Sequence, residues 1–237
     1  MPHENSRRYL NAFSEIERAL RCLIGAAKGM PFYNLIRKCS QREAIVKKYA
    51  DDLREFADLR NAIVHERCNG EPIAEPHHKT VLQIEKIRNH IIAPPTVEPV
   101  FFRKVICCDL NDPIDEVAKT MLKGSFSQIP MYERGKCKGL LTAETVARWL
   151  ADKFQDNISV LKGETVGMVA DFREYRDNYR FISRKTTLFE VLDHFDSFAK
   201  IGKKLDALII TSGGKSNEKP LGIVTVFDLP KTYRLIG

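Results

Sequence analysis

The sequence predicts two domains: an N-terminal all-α helical bundle over residues 1–95, and an α/β unit of two β-α-β-β-α repeats over residues 96–237. Three observations carry this. From Leu10 to Ile91 the apolar residues recur at helical spacing. The stretch Ala93-Pro-Pro-Thr-Val-Glu-Pro then breaks that pattern with prolines at 94, 95 and 99, which stiffen a linker. Beyond Val100, short β-branched runs alternate with helical ones, and the alternation occurs twice.

In the first region, residues 6–27 carry Leu10, Phe13, Ile16, Leu20, Leu23 and Ile24 on one helical face, with Ser6 as a candidate cap and Gly25 to Gly29 loosening the end. Pro31 to Cys39 predicts a short helix, and Ser40 to Cys68 a long one. In the long helix Tyr49, Leu53, Phe56, Leu59 and Ile63 follow at spacings of 4, 3, 3 and 4. Asn69-Gly70 is its stop signal, because both residues tolerate a left-handed backbone. After the Gly70–Pro76 loop, Thr80 to Ile92 keeps Val81, Ile84, Ile87 and Ile91 on one face. Short joins between antiparallel helices predict a four-helix bundle.

The first α/β repeat, at about residues 100–156, reads as strand Lys104–Cys108, helix Pro113–Leu122, strands Gln128–Tyr132 and Cys137–Thr142 around a Gly135 turn, and helix Ala143–Phe154. The second, at about residues 166–237, reads as Tyr179–Ser183, Thr187–Phe195, Ala207–Thr211 and Leu221–Val226. Ile114 aligns with Leu188 at an offset of 74 and Thr142 with Thr225 at 83, so nine extra residues fall between those anchors, including the turn at 212–219.

Composition narrows the function classes. With 43% hydrophobic and 29% charged residues, the chain reads as a soluble globular protein. Neither a signal-peptide segment nor an apolar run of membrane-spanning length occurs, so the expected place is the cytoplasm, with no membrane partner. A net charge of +7 suits a polyanionic partner without demanding one, since the basic residues are spread along the chain. Cys22, Cys39, Cys68, Cys107, Cys108 and Cys137 form no CxxC pair, and the side chains of His77-His78 diverge, so no metal site is expected. No Walker loop, GxSxG or HExxH motif is present.

The chemically useful residues cluster where the long helix ends. Asn61 and His65 lie roughly 40° apart on the helical wheel, away from the apolar stripe and beside Arg54 and Asp58. Arg60 lies about 140° from His65, which predicts that one straight helix does not join them and that a site using both needs a bend or a second copy. The competing role is structural, with Arg60 reaching solvent past the apolar edge and His65 closing the helix. The stretch Leu59-Arg60-Asn61-Ala62-Ile63-Val64-His65-Glu66 resembles the Arg-Asn-x-x-x-His signature of the HEPN superfamily, over roughly residues 1–95. The resemblance implies a homodimeric, metal-independent endoribonuclease. Arg60 would stabilise phosphorane charge, His65 would act as general acid or base, and Asn61 would orient them, with RNA as substrate.

The doubled unit resembles a tandem pair of CBS domains, most clearly in Gln128-Ile-Pro-Met-Tyr, Gly139-Leu-Leu-Thr and Leu221-Gly-Ile-Val-Thr-Val-Phe-Asp-Leu. The resemblance implies a regulatory site for an adenosine nucleotide. Within the Gly-x-x-Thr-x-x-Asp pattern of Gly222, Thr225 and Asp228, the carboxylate would take the ribose diol and the hydroxyl a phosphate. Lys203 and Lys204, with Lys200, are candidates for phosphate counter-charge at that site. Helix capping is the competing role for Thr225 and Asp228, and a solvated turn for the lysines. In the first repeat Gly139 and Thr142 match, but Thr145 stands at the carboxylate position with Glu144 one residue early, so that site is expected to be weak or vacant.

Together these readings predict a nucleotide-regulated endoribonuclease. The alternative is a non-enzymatic nucleotide sensor or adaptor whose helical bundle dimerises or binds a partner.

Overall fold

Apolar spacing in the first ninety residues produces helices, each burying its stripe. The computed structural model describes residues 3–65, 67–68, 71–72, 74–155 and 163–237. These divide into two units: one of residues 1–95, 187–193 and 236, the other of residues 96–186, 194–235 and 237.

In the helical unit, α1 (Glu4–Ile24) packs on α2 (Phe32–Cys39), α4 (Ala50–His65) and α5 (His78–Ile92), and α3 (Ala44–Lys48) packs on α2, α4 and α5. Tyr9, Ile16, Leu20, Leu35, Ile36, Leu53 and Ile84 are fully buried. Tyr9 also donates its hydroxyl to the Phe56 carbonyl at 2.8 Å, so its one polar atom is satisfied in the core. Among the described residues the rods of the bundle are α1, α2, the α3–α4 pair and α5.

Several expectations for this unit are corrected. Ser6 does not cap α1; the helix starts at Glu4, and Ser6 is buried with its hydroxyl and backbone N–H both on the Glu75 carboxylate. A free first-turn amide is thus satisfied by a group 69 residues away in sequence. The long helix is two helices, because residues 40–43 form a turn and Tyr49 leaves helical geometry (φ −99°, ψ 16°). There the Tyr49 ring packs against His90 and Phe189, and its hydroxyl meets His90 Nδ1 at 3.0 Å. The second of the two ends at His65, short of Cys68, and a two-residue hairpin pairs β1 (Arg67–Cys68) with β2 (Glu71–Pro72). Asn69-Gly70, the expected stop signal, lies outside the described residues.

The second unit holds two three-stranded sheets of one topology. In the first, β3 (Cys108–Asp109) runs parallel to β4 (Gln128–Glu133), which is antiparallel to β5 (Lys136–Thr142). In the second, β6 (Tyr179–Ser183), β7 (Ala207–Thr211) and β8 (Gly222–Thr225) repeat that order and sense. Helices α7 (Ile114–Gly124) and α8 (Ala143–Gln155) belong to the first repeat; α10 (Leu188–Lys200) and α11 (Leu229–Ile236) take the same chain positions in the second. The turn between β4 and β5 uses left-handed backbone at Arg134 and Gly135.

Two further differences matter for the site. The strand expected at Lys104–Cys108 is reduced to Cys108–Asp109, because the chain before it runs along the other sheet. A short helix α6 (Glu98–Phe101) leads to Phe102, which bridges Gly222, and the Arg103 N–H donates to the Leu221 carbonyl at 3.1 Å. A helix the sequence pattern missed, α9 (Val166–Ala170), buries Val166, Val169 and Ala170 in the core of the first repeat with Ile114, Val117 and Trp149. In chain order α9 stands ahead of β6 as α6 stands ahead of β3.

Candidate functional site

The end of β8 supplies the best-formed site. Thr225 closes the strand opposite Ala207, and its extended backbone (φ −125°, ψ 174°) turns into a 3₁₀ turn over Val226–Asp228 that leads into α11. Three residues along, the Asp228 carboxylate folds back. Its Oδ2 accepts the Thr225 N–H at 2.8 Å and the Thr225 hydroxyl at 3.1 Å. Arg103 Nη2 approaches the same oxygen at 3.3 Å and donates to the Ile223 carbonyl at 2.8 Å. Oδ1 takes no protein hydrogen bond among the described residues.

Asp228 and Thr225 line a cleft of about 320 Å³. Its other walls are residues 103–106 and the segment 124–130 that joins α7 to β4. Two exposed aromatic rings, Phe126 and Phe227, stand on it, and Arg103, Lys104 and Asp228 are its charged groups. Gly222, the first residue of the motif, has a backbone role. A Cβ there would overlap the Phe101 carbonyl oxygen, so glycine is what lets residues 101–103 lie against β8 and carries Arg103 to the carboxylate.

The first repeat is built differently at the equivalent place. Thr142 ends β5 opposite Gln128, and its Oγ1 accepts the Thr145 N–H at 3.1 Å as a helix cap. Thr145 is buried, and its hydroxyl meets that of Thr142 at 2.9 Å. Glu144 turns away to Lys204 (2.9 Å) and Arg148 (3.7 Å). Gly139, the counterpart of Gly222, is filled by the Arg173 guanidinium, which donates to the Lys138 and Ala170 carbonyls.

This arrangement corrects the placement of the lysines. Lys203 and Lys204 do not line the Asp228 cleft; Lys203 pairs with Asp177 at 2.9 Å, and Lys204 with Glu144 and, at 3.5 Å, Asp206. The reason is the internal repeat. The loop between α10 and β7 faces the end of β5, while the equivalent loop of the first repeat, 124–128, faces the end of β8. The Lys204 ammonium, hydrogen-bonded to Glu144, holds that carboxyl below its ordinary range and is itself raised by the contact.

The second candidate cluster lies at the end of α4. Asn61 and His65 are exposed and Arg60 is half-buried. Arg60 Nη1 meets His65 Nε2 at 3.0 Å and donates to Asn61 Oδ1 at 3.3 Å, so one chain does bring the three residues together. The wheel angle describes where side chains leave the helix, and the long arginine stem spans it because His65 is the last helical residue. A second copy is not needed to join them. Since guanidinium only donates, Nε2 is the acceptor in this contact. Arg54 and Asp58 do not join the cluster; Arg54 pairs with Asp51, and Asp58 accepts the Tyr33 hydroxyl at 2.5 Å.

Other chemistry finds less support. Among the described residues no group of three or more His, Cys, Asp or Glu side chains could hold a metal ion. Burial pushes the thiol of Cys39 up to about 11 and that of Cys108 to about 12, which makes them poor nucleophiles. No described helix is long and apolar enough to cross a membrane.

The CBS domain family model matches residues 97–152, which are a CBS domain in the first repeat. No curated protein has significant sequence similarity to the chain. Three solved structures illustrate the likeness. One is the CBS domain pair of protein MJ0100 in complex with 5′-methylthioadenosine and S-adenosyl-L-methionine (15% identity, 61% of this chain and 99% of that one, TM-score 0.42). Another is CBSX2 in complex with AMP (14% identity, 60% and 98%, TM-score 0.43). The third is the CBS domain of a CBS domain-containing membrane protein from Sphaerobacter thermophilus (19% identity, 60% and 89%, TM-score 0.43). Arg103 and Phe227 are site residues that the motif pattern missed.

Proposed function

We propose that the protein is a nucleotide sensor whose regulatory ligand, an adenosine nucleotide, binds the cleft at Asp228. The observation that carries this is the Asp228 carboxylate, fixed through one oxygen by Thr225 while its other oxygen takes no protein hydrogen bond among the described residues. A vicinal diol presents two hydroxyl donors to such an acceptor. The cleft's 320 Å³ sits at the lower end of the roughly 300–1,000 Å³ of small-molecule sites. Phe126 and Phe227 offer faces on which a purine can stack, and the CBS match at residues 97–152 supports the same class of ligand. Calorimetric titration of the whole chain with adenosine, AMP, ADP and ATP, beside Asp228→Asn, tests it. Saturable binding that the substitution weakens at least tenfold is expected. Equal binding by both proteins, or none by the wild type, overturns the assignment.

A second reading is favoured by the Arg60–His65 contact: the helical unit is a metal-independent endoribonuclease that the nucleotide controls. Arg60 would meet phosphate, His65 would move a proton and Asn61 would hold Arg60, in a homodimer of the kind the HEPN resemblance implies. Control requires that the nucleotide bind two states of the protein with different affinity. RNA cleavage in EDTA, abolished by His65→Ala without loss of folding and altered by nucleotide, is the expected result. Absence of cleavage from folded, nucleotide-binding protein leaves the sensor alone, acting through a partner.

A further inference from the structure

Arg103 holds a position that a plain ribose-binding site would not need. Its backbone is fixed against β8 through the Arg103 N–H and the Phe102–Gly222 bridge. From there its guanidinium approaches Asp228 at 3.3 Å, so the carboxylate proposed to take the diol already has a cation beside it. The arginine side chain is half exposed while that of Asp228 is 15% exposed, so the pair sits at the cleft wall with its cation toward solvent. Only Nη2 is engaged among the described residues; the remaining guanidinium donors are available, and Lys104 adds a second cation to the same wall.

We propose that Arg103 makes the cleft selective for ligands that carry an anionic group beside the ribose. This rests on the reading of the cleft as a nucleoside-type site. A neutral nucleoside must compete with Arg103 for Asp228 and leaves the two cations of the wall against one carboxylate. A nucleotide gives the guanidinium a phosphate to turn to, in the paired geometry that planar donors favour, and releases Asp228 Oδ2 from it. The Ile223 carbonyl keeps one arginine donor in both states and serves as the pivot. The structural device is thus an exchange of anions on one side chain, carboxylate in the free protein and phosphate in the bound one.

The test compares AMP, adenosine and inorganic phosphate on the whole chain, wild type and Arg103→Gln, by calorimetry. Wild type is expected to bind AMP at least about tenfold more tightly than adenosine, and phosphate alone more weakly than AMP. In Arg103→Gln the AMP-to-adenosine ratio should fall to within about threefold, with adenosine binding held or improved because Asp228 is freed. Where the glutamine protein does not fold, Arg103→Met keeps the stem and is read in the same way. An unchanged ratio in a folded variant that still binds overturns the role of Arg103 and leaves the nucleotide site standing. Failure of wild type to bind either adenosine or AMP overturns the site itself and this inference with it.

Discussion

The ends of β5 and β8 are the same structural place built twice, and they have been put to opposite uses. At β8 the carboxylate of Asp228 lies on an open cleft and shares its partner Arg103 with that cleft. At β5 a hydroxyl replaces the carboxylate, is buried, and finds its partner in Thr142. The nearby charges behave in step. Glu144 pairs with Arg148 one turn along α8 and with Lys204, while Lys203 pairs separately with Asp177. A backbone repeat therefore does not repeat a site. At position 228 a carboxylate leaves the strand end on an open cleft, and at position 145 a hydroxyl closes it.

The glycines give the largest way to break the comparison. At Gly222 an added side chain meets backbone, the Phe101 carbonyl, which cannot yield without lifting residues 101–103 off β8. Gly222→Val is expected to cost about 2–3 kcal/mol and, by displacing Arg103, to remove most of the preference for AMP over adenosine. At Gly139 the obstacle is the far end of Arg173, which can swing away, but a backbone φ of +144° remains. Gly139→Ala should cost about 1–2 kcal/mol, with the AMP affinity unchanged. Urea unfolding followed by the single tryptophan, Trp149 in the first-repeat core, measures both. Equal loss of binding in the two variants would mean that the ends of the repeats are functionally linked.

Next in size is the carboxylate itself. Asp228→Asn keeps the shape and removes the charge that accepts the diol, an interaction of about 1.5–3 kcal/mol, or roughly a 10- to 100-fold rise in the AMP Kd. Thr145→Ser at the other end preserves the hydroxyl and should leave that Kd alone. A shift in Kd with Thr145→Ser would show that the first repeat contributes to the ligand site.

What the sequence displays and what it hides divide along the range of the interaction. Local periodicity exposed the stripe of Leu53, Phe56 and Ile63, all buried, and the strands Gln128–Tyr132 and Cys137–Thr142, each one residue shorter than β4 and β5. The three-residue spacing of Thr225 and Asp228 is equally local, and their side chains do meet. Arg103 is 125 residues from Asp228, and no spacing rule connects them. Lys203 and Lys204 misled for a related reason. They precede the strand that pairs with β8, yet the loop carrying them turns toward the other repeat. Arg60 and His65 show the remaining gap, because a wheel records directions and omits side-chain length. The break at Tyr49 is set by rings of His90 and Phe189, 41 and 140 positions further along the chain.

The smallest effect sharpens the comparison from the closed side. Glu144 and Lys204 are largely solvent-exposed, so Glu144→Gln should cost less than about 1 kcal/mol and leave the AMP Kd unchanged. Its pH dependence carries a definite sign. A carboxyl whose folded value is depressed below the ordinary 4.5 stabilises the protein above that pH and loses the contribution as pH falls through its folded value. The raised Lys204 ammonium works in the other direction, contributing below 10.5 and losing that contribution as pH rises through its folded value. Other depressed carboxyls, Glu75 and Glu85 among them, lose their contributions over the same acid range, so the informative quantity is the difference between wild type and variant. That difference should be constant from pH 8 to 6 and close as pH falls from about 4.5 toward 3. A difference that persists at pH 3 would mean that Glu144 acts by packing and not by charge. The closed end would then be held by shape, with its ion pairs incidental to it.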